Sequence, residues 1–168
     1  EIAFFFEGRR VEFATSYRYL GVEVSCSGTW SQAVGSLSAA GLRACHALRQ
    51  RCTEIHLYDP LVRAQLFDSL VLPVLMHGAE VWGATSLQSM SSFGDQERDP
   101  TEQVHRGFFR SLLGVRASTP GIASLGGFGR FPLLVRRVRA ISLYYNRLVG
   151  LRGSGRLCSL AFEDSMRL

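Results

Sequence analysis

The stretch FDSLVLPVLMHGAEVWG, from Phe67 to Gly83, decides the fold of this chain. It continues an apolar stripe that begins at Leu61, and it is rich enough in Leu and Val to form the middle of a core. Pro73 should end or kink the helix near Leu72, because its ring clashes with the carbonyl group four residues back. Val74 to Trp82 can resume as helix before the glycine that follows. We therefore expect two short helical segments here.

The residues before this stretch predict two further helix starts. Asp59-Pro60 combines an Asp cap with Pro at the first helical position, where a missing N–H costs nothing. Farther back, a helix is expected from Ser31 to about Cys52, with Ser31 as its N-cap and with Gly35 and Gly41 weakening it. The apolar face of that helix follows Val34, Leu37, Gly41, Ala44 and Leu48.

The N-terminal part predicts β-structure. Ile2 to Phe6 is a short apolar run, Val11 and Phe13 alternate with polar residues, and Tyr17 to Val24 is a third β-rich segment. Three such strands would form one small antiparallel sheet that docks on the helices or on a missing domain.

The second half predicts two more helices after a connection without periodicity. Asp99-Pro100 repeats the cap-and-proline start, and Gly114 should end that helix. Phe131-Pro132 opens the last strong helix, which Gly150 should close. The inner faces are predicted to carry Val104, Phe108, Phe109, Leu112 and Leu113 in the first helix and Leu134, Val138, Ile141, Tyr145 and Leu148 in the second.

These patterns predict a mainly α protein with a small N-terminal antiparallel β-sheet, an α+β arrangement whose helices form a bundle. Five segments are expected. They are a β-sheet over 1–28, helices over 29–83, a flexible connection over 84–100, a basic helical region over 101–150 and a tail over 151–168.

Composition limits the class of protein. With 46% hydrophobic residues in 168, the chain can bury a core. No run of about 18 apolar residues occurs, so we expect no membrane span, and the N-terminus does not resemble a signal peptide. The abrupt start in EIAFFFEGRR suggests a piece of a longer polypeptide. Separately, we expect an intracellular location, nuclear or cytoplasmic, and an organellar ribonucleoprotein is a further alternative.

Charge is distributed unevenly. All 19 basic residues are Arg, which either a GC-rich genome or selection for the bidentate guanidinium would produce. Residues 1–90 hold 7 Arg against 8 acids, whereas residues 91–168 hold 12 against 6. The acid-free segment, Gln103 to Phe162, holds 10 Arg and no acid. Such a segment favours contact with the phosphate backbone of a nucleic acid over a merely solvated face.

The four cysteines do not predict a metal site. Cys45 and Cys52 lie two helical turns apart, roughly 10 Å by the rise per residue, so they cannot share a tetrahedral zinc with His46 or His56. We expect buried free thiols in a reducing compartment.

Five ordered blocks carry a resemblance to a known family. They are YRYLGV (Tyr17 to Val22), SCSGTW (Ser25 to Trp30), FDSLVLPVLMHGAEVWG (Phe67 to Gly83), HRGFFRSLLGVRASTP (His105 to Pro120) and LGGFGRFPLLVRRVRAISLYYNRL (Leu125 to Leu148). Together they resemble the region after the catalytic palm in reverse transcriptases of non-LTR (LINE-type) retrotransposons.

The resemblance implies a primer grip and a thumb. Tyr19, Leu20 and Gly21 would belong to the primer grip, which positions the primer 3′ end; the alternative is ordinary strand core. Gly would permit close backbone approach and Tyr would offer a stacking surface. The helices that follow would track the backbone of the template–primer duplex. Candidate phosphate contacts there are Arg43, Arg49 and Arg51.

The blocks beyond His105 resemble the basic region after the thumb. Tyr144 and Tyr145 are candidates for base stacking, although helical spacing favours a core position for Tyr145. The candidate nucleic-acid-binding arginines of this region are Arg106, Arg110, Arg136, Arg137, Arg139 and Arg147.

No catalytic residue is predicted. In this family polymerase chemistry needs paired metal-binding carboxylates, and the five Asp of this chain are scattered. His77 and Glu80 have no nucleophile or second carboxylate beside them in sequence, so we expect a structural role for both. The chain itself should have no cofactor and no metal site, whereas the parent polymerase would use Mg²⁺.

The leading hypothesis is a non-catalytic fragment of a retrotransposon reverse transcriptase, an RNA-directed DNA polymerase, that grips RNA or an RNA–DNA duplex. Its partners would be the missing palm and finger domains of the same polypeptide, or a ribonucleoprotein. One alternative is a domesticated remnant that anchors RNA as a structural subunit. Another is a helical protein-interaction module whose arginines meet an acidic protein.

Overall fold

The computed structural model describes residues 4–88 and 98–166. Within them the chain is mainly α-helical, with a small antiparallel β region at its N-terminus, as the sequence predicted. The helices found in these two ranges number eight.

The β region consists of two hairpins instead of the single three-stranded sheet that we expected. Strand β1 (Phe4–Phe6) pairs with β2 (Arg9–Val11), and β3 (Ser16–Tyr19) pairs with β4 (Val22–Ser25), both antiparallel. Each pair is a separate two-stranded sheet. A two-stranded hairpin is marginally stable in water, so each depends on what packs against it.

Helix α1 (Ser31–Glu54) is long and follows the predicted apolar face. Its N-cap is Trp30, not Ser31, and no side chain caps this end. Gly41, one of two glycines in α1, has a packing reason. A Cβ atom at Gly41 would lie 2.2 Å from Cδ2 of Leu75, so only glycine lets that leucine reach the helix backbone.

The stretch Phe67–Gly83 forms parts of three helices. Helix α2 (Pro60–Leu70) is capped by Asp59, whose side chain accepts hydrogen bonds from two backbone N–H groups of the first turn. The chain breaks at Val71, one residue before the predicted position, and α3 (Leu72–Leu75) contains Pro73 in its first turn.

The prediction that Gly83 ends a helix is wrong, because helix α4 (Ala79–Gln88) continues past it. Gly83 lies inside α4, where a Cβ atom would approach Cδ1 of Ile141 to 3.3 Å, so its small size allows another helix to pack closely. Residues 84–88, predicted as part of a flexible connection, are therefore helical. Of the rest of that connection, 89–97 lies outside the described residues, whereas Asp99 and Pro100 form the cap and the first residue of the next helix.

The second half contains the two predicted helices and two others. Helix α5 (Pro100–Leu113) begins after the Asp99 cap and ends at Gly114, which has a left-handed φ of 64°. Helix α7 (Leu133–Gly150) follows Pro132. The sequence did not predict α6 (Gly121–Gly126) in the glycine-rich link or α8 (Leu157–Ser165) in the tail.

The buried face of α7 differs from the predicted one. The buried residues of α7 are Leu133 and Arg137, whereas Val138 and Tyr145 are 45% and 47% exposed. The true inner stripe thus contains an arginine, which hydropathy assigns to the outside. Tyr145 instead lies edge-to-face against Phe162 of α8, with ring centroids 5.7 Å apart.

One aromatic cluster forms the centre of the larger core. The Phe67 ring of α2 stacks on Phe108 of α5 with centroids 4.5 Å apart, and it meets Phe109 edge-on at 5.3 Å. Cys45 of α1 and Leu133 of α7 belong to the same buried cluster. Helices α1 and α2, which precede the predicted connection, and helices α5 and α7, which follow it, therefore share a core.

A smaller cluster joins Leu37 of α1 to Ala79 and Trp82 of α4. Across 4–88 and 98–166, no helix is both long enough and apolar enough to span a membrane.

Candidate nucleic-acid interface and the buried ion-pair network

The YLG block lies at the tip of the β3–β4 hairpin. Tyr19 pairs with Val22, so Leu20 and Gly21 form a two-residue turn. Both have positive φ, 47° for Leu20 and 87° for Gly21, as a type I′ turn requires. We call Tyr19, Leu20 and Gly21 the hairpin tip.

Leu20 is an unusual residue for this turn. Asn, Asp or Gly is preferred where φ is positive, because a bulky L-residue is strained there. Packing does not compensate, because Leu20 is 78% exposed and the neighbouring Tyr19 is 62% exposed. Strained, exposed apolar residues of this kind are typical of contact sites.

The turn between α3 and α4 fixes the hairpin tip. Nε2 of His77 lies 2.8 Å from the carbonyl oxygen of Leu20 and would approach a Cβ atom at Gly21 to 3.1 Å. The indole N–H of Trp82 donates to the carbonyl oxygen of His77 at 2.8 Å. The orientation of the tip is therefore tied to the core through His77, consistent with the structural role predicted for that residue.

The first hairpin is also strongly apolar on its surface. Phe4, Phe5, Phe6 and Phe13 are between 58% and 75% exposed, and the closest ring pair, Phe4 and Phe13, has centroids 6.3 Å apart. Exposed apolar surface of this extent is typical of an interaction site.

The prediction of nucleic-acid binding is wrong for two of the candidate arginines. Arg106 and Arg137 are each 2% exposed, so neither can reach a phosphate outside the protein. The guanidinium of Arg137 lies 4.9 Å from the centroid of the Trp82 ring. Arg106 pairs with the buried Glu102 and Arg137 with the partly buried Asp99, because burying a charge without a partner is costly.

Asp99 holds Arg137 and the start of α5. Its Oδ1 accepts from the backbone N–H groups of Thr101 at 2.8 Å and Glu102 at 3.1 Å. Arg137 donates to Oδ2 at 2.6 Å and to Oδ1 at 3.1 Å, and it also donates to the Thr101 hydroxyl. Burial raises the pKa of Asp99, but the hydrogen bonds and charge of Arg137, with the Thr101 hydroxyl, outweigh it and hold the pKa below its usual value.

Glu102 connects α5 to the start of α7. Its Oε1 accepts from Nε of Arg106 at 3.0 Å, and its Oε2 accepts from the backbone N–H of Leu133 at 2.7 Å. Nδ1 of His105 lies 3.5 Å from Oε1. Burial raises the pKa of Glu102, but His105, the Leu133 N–H and Arg106 together hold it below its usual value. The network is buried except at Asp99, which is partly exposed, and it stabilises the starts of two helices.

The remaining candidate arginines differ in availability. Arg49 is half-buried, donates to the Ser111 hydroxyl at 2.8 Å and lies over the Phe108 ring. Arg110 donates to the carbonyl oxygen of Thr119 at 2.9 Å. Arg51 is exposed and pairs with Glu54 at 2.9 Å. These three already have partners within the protein.

Arg43, Arg139 and Arg147 are exposed and have neither ion pair nor hydrogen bond to another residue of 4–88 or 98–166. Arg136 is half-buried and reaches Asp68 only at 3.7 Å. The prediction passed over Arg152 and Arg156, which are equally exposed beside the α7–α8 turn. They belong to the acid-free segment, so charge counting alone could have found them.

Within residues 4–88 and 98–166, no three His, Cys, Asp or Glu side chains are grouped so that they could hold a metal ion. Cys45 and Cys52 are buried free thiols, as predicted, whereas Cys26 and Cys158 are exposed. Burial raises the pKa of Cys45 to about 11, so its thiol stays protonated at neutral pH.

Comparisons of the chain with protein-family models, with curated proteins and with solved structures found no match. The resemblance to LINE-type reverse transcriptases therefore rests on the sequence blocks alone.

Proposed function

We propose that this chain is a non-catalytic part of a retrotransposon reverse transcriptase that binds RNA or an RNA–DNA duplex without sequence preference. The observation that carries the proposal is a group of exposed arginines without an internal counterion, of which Arg43, Arg139 and Arg147 were candidates from the sequence. An unpaired guanidinium on the surface is available for a phosphate, and each such contact releases counterions.

The hairpin tip supports the same function. Its strained Leu20 and exposed Tyr19 offer an apolar surface for a sugar or base, as expected of a primer grip. The exposed phenylalanines of the first hairpin support docking on the palm or finger domains of the same polypeptide. In such an assembly Mg²⁺ would act in the palm, and the whole would be intracellular, nuclear or cytoplasmic.

The domesticated remnant remains a second form of this proposal. It would use the same arginines to anchor RNA in a ribonucleoprotein, without contact to a primer end. Primer extension by the parent polypeptide separates the two, because substitutions at the hairpin tip should impair extension in a polymerase and have no extension to impair in a remnant.

The proposal is tested by the salt dependence of binding to a fluorescein-labelled RNA and to the matching RNA–DNA hybrid. The triple variant Arg43→Gln, Arg139→Gln, Arg147→Gln should reduce the slope of log Kd against log salt by up to about three, roughly one per lost phosphate contact. The effect should be equal for unrelated sequences.

A control variant removes the same charge at arginines that already have partners within the protein, by Arg49→Gln, Arg51→Gln and Arg110→Gln. These guanidinium groups are held by Ser111, Glu54 and Thr119 respectively, so their loss should change the slope less. A folded test variant with the same slope as the control would rule out these arginines as the phosphate contacts.

A further inference from the structure

A pocket of about 320 Å³ lies between α3 and α7. Leu72 and Pro73 of α3, with Met76 just after it, form one side, and Ala140 and Leu143 of α7 form the other. Leu143 is 58% exposed, so apolar surface continues out of the pocket. We call this site the α3–α7 pocket.

Two arginines of α7 complete the lining. Arg139 is exposed and has no ion pair or hydrogen bond within 4–88 and 98–166. Arg136 is 3.7 Å from Asp68, whose other carboxylate oxygen is held by Arg130 at 2.7 Å. Helix α7 contains no acid, so the charge on the rim of this pocket is left largely unbalanced by the chain itself.

The chemistry of the lining selects the kind of ligand. Apart from the two guanidinium groups, every lining side chain is aliphatic or a thioether and offers no strong hydrogen-bond partner. A nucleic-acid base would leave its polar edge unpaired there, which is costly. An apolar side chain has no hydrogen bonds to lose when it enters the pocket, and carboxylates beside it can pair with the two arginines.

The size of the pocket limits how much of a partner it can hold. Ligand pockets range from about 300 to 1,000 Å³, so this one is at the small end and suits one or two anchoring side chains. Anchors of this kind supply most of the binding energy in protein–protein contacts.

We propose that the α3–α7 pocket docks an acidic segment of a partner protein, with a Leu or Phe side chain in the pocket and its neighbouring carboxylates on Arg136 and Arg139. The apolar anchor, which RNA lacks, distinguishes this site from the nucleic-acid proposal. Both sites use Arg139, so the two ligands should compete.

The test uses a short fluorescein-labelled peptide of Glu and Asp with two Leu at its centre, and fluorescence anisotropy with the full chain. Ala140→Phe should fill the pocket while leaving both arginines in place, and it should weaken peptide binding roughly tenfold or more. Arg139→Gln should weaken binding and reduce its dependence on salt.

Two controls isolate the pocket from charge and from folding. Ser142→Phe adds the same ring at an exposed position of α7 outside the pocket and should leave peptide affinity unchanged. A second peptide with Ser in place of both Leu keeps the charge and should bind at least about tenfold more weakly. Circular dichroism and melting temperature verify that each variant is folded.

The proposal is overturned if the wild-type chain does not bind the Leu peptide, if the Ser peptide binds equally well, or if folded Ala140→Phe binds like the wild type. Loss of RNA affinity in Ala140→Phe without loss of peptide affinity would assign the pocket to nucleic acid and also overturn it. Failure of the nucleic-acid proposal would appear separately, as a chain that binds the peptide but not RNA.

Discussion

Nε2 of His77 is in hydrogen-bond contact with the carbonyl oxygen of Leu20, at 2.8 Å, across 57 residues of sequence. A carbonyl oxygen can only accept, so Nε2 carries the proton and donates it. Through this bond the α3–α4 turn determines where the hairpin tip points. The tip and the middle of the core are therefore one structural unit, although the sequence separates them.

Replacing His77 should loosen the hairpin tip more than it destabilises the fold. His77→Ala removes an exposed hydrogen bond, so we expect a loss of about 0.5 to 1 kcal/mol in unfolding free energy. The amide protons of β3 and β4 should exchange faster in hydrogen-exchange measurements, while those of α5 keep their rates. His77→Gln, which can still donate, serves as the comparison; equal exchange in both variants would argue against the bond.

Leu20→Asn should raise stability and lower nucleic-acid affinity. It creates the Asn-Gly pair preferred in type I′ turns and relieves a bulky residue at φ 47°, which should add about 0.5 to 1 kcal/mol. The same change removes the apolar contact surface proposed for the nucleic acid. Urea unfolding and hybrid binding are measured on one preparation. Leu61→Asn, an exposed leucine in α2, is the control and should not stabilise. Unchanged affinity for the hybrid would remove Leu20 from the site.

Two glycines of α1 should respond to alanine in opposite directions. Gly41→Ala places a Cβ atom 2.2 Å from Leu75, so we expect a loss of about 1 to 3 kcal/mol from overpacking. Gly35 is exposed with open space around its Cβ position, so Gly35→Ala should gain about 0.5 to 1 kcal/mol through helix propensity. Thermal melting of the two variants side by side checks this; a stable Gly41→Ala protein would contradict the packing of α1 on α3.

Stability should fall in acid because of Asp99 and Glu102. The pKa of each is lower in the folded protein than its ordinary value, 3.8 for Asp and 4.5 for Glu. Both groups therefore stabilise the fold above those values, and their contribution is lost as the pH falls through the lowered pKa of each. Urea midpoints measured from neutral pH down to about pH 3 should show this decline.

The variant Arg137→Met tests the cause of this decline. It leaves the buried Asp99 without its main partner, so we expect a loss of about 3 to 5 kcal/mol at neutral pH and a weaker dependence of stability on pH. Arg147 is exposed on the same helix, so Arg147→Met is the control and should change neither the stability nor its dependence on pH. An Arg137→Met protein with the stability and acid response of the wild type would contradict the network.

Local sequence chemistry predicted helix starts better than it predicted burial. The starts at Asp59 and Asp99 were correct because an Asp cap followed by Pro acts within one turn. The predicted end of α4 was wrong, because Gly83 was interpreted as a helix break. Its small size instead allows α7, a helix more than fifty residues away, to pack closely. Tertiary packing of that kind leaves no mark in a local window.

The arginines show the same limit at the candidate site. Charge counting found the acid-free segment, but it could not separate the buried Arg106 and Arg137 from the exposed Arg139 and Arg147. Glu102 lies one turn before Arg106 on α5, so spacing alone could have indicated that pair. Asp99, the partner of Arg137, caps α5, and nothing in the spacing of α7 indicates it. For the hairpin tip, the two-residue turn was hidden within a predicted continuous strand, because leucine is rare at positive φ.

The bond from the Leu133 N–H to Glu102 has a consequence for how the protein opens. Because the first turn of α7 is satisfied by a side chain of α5, neither helix start can unravel without exposing polar groups of the other. The two helices should therefore behave as one cooperative unit in slow fluctuations, detaching together rather than fraying singly. The segment between them belongs to the same unit, because its helix α6 contributes the fully buried Leu125 to the core that also holds Leu133.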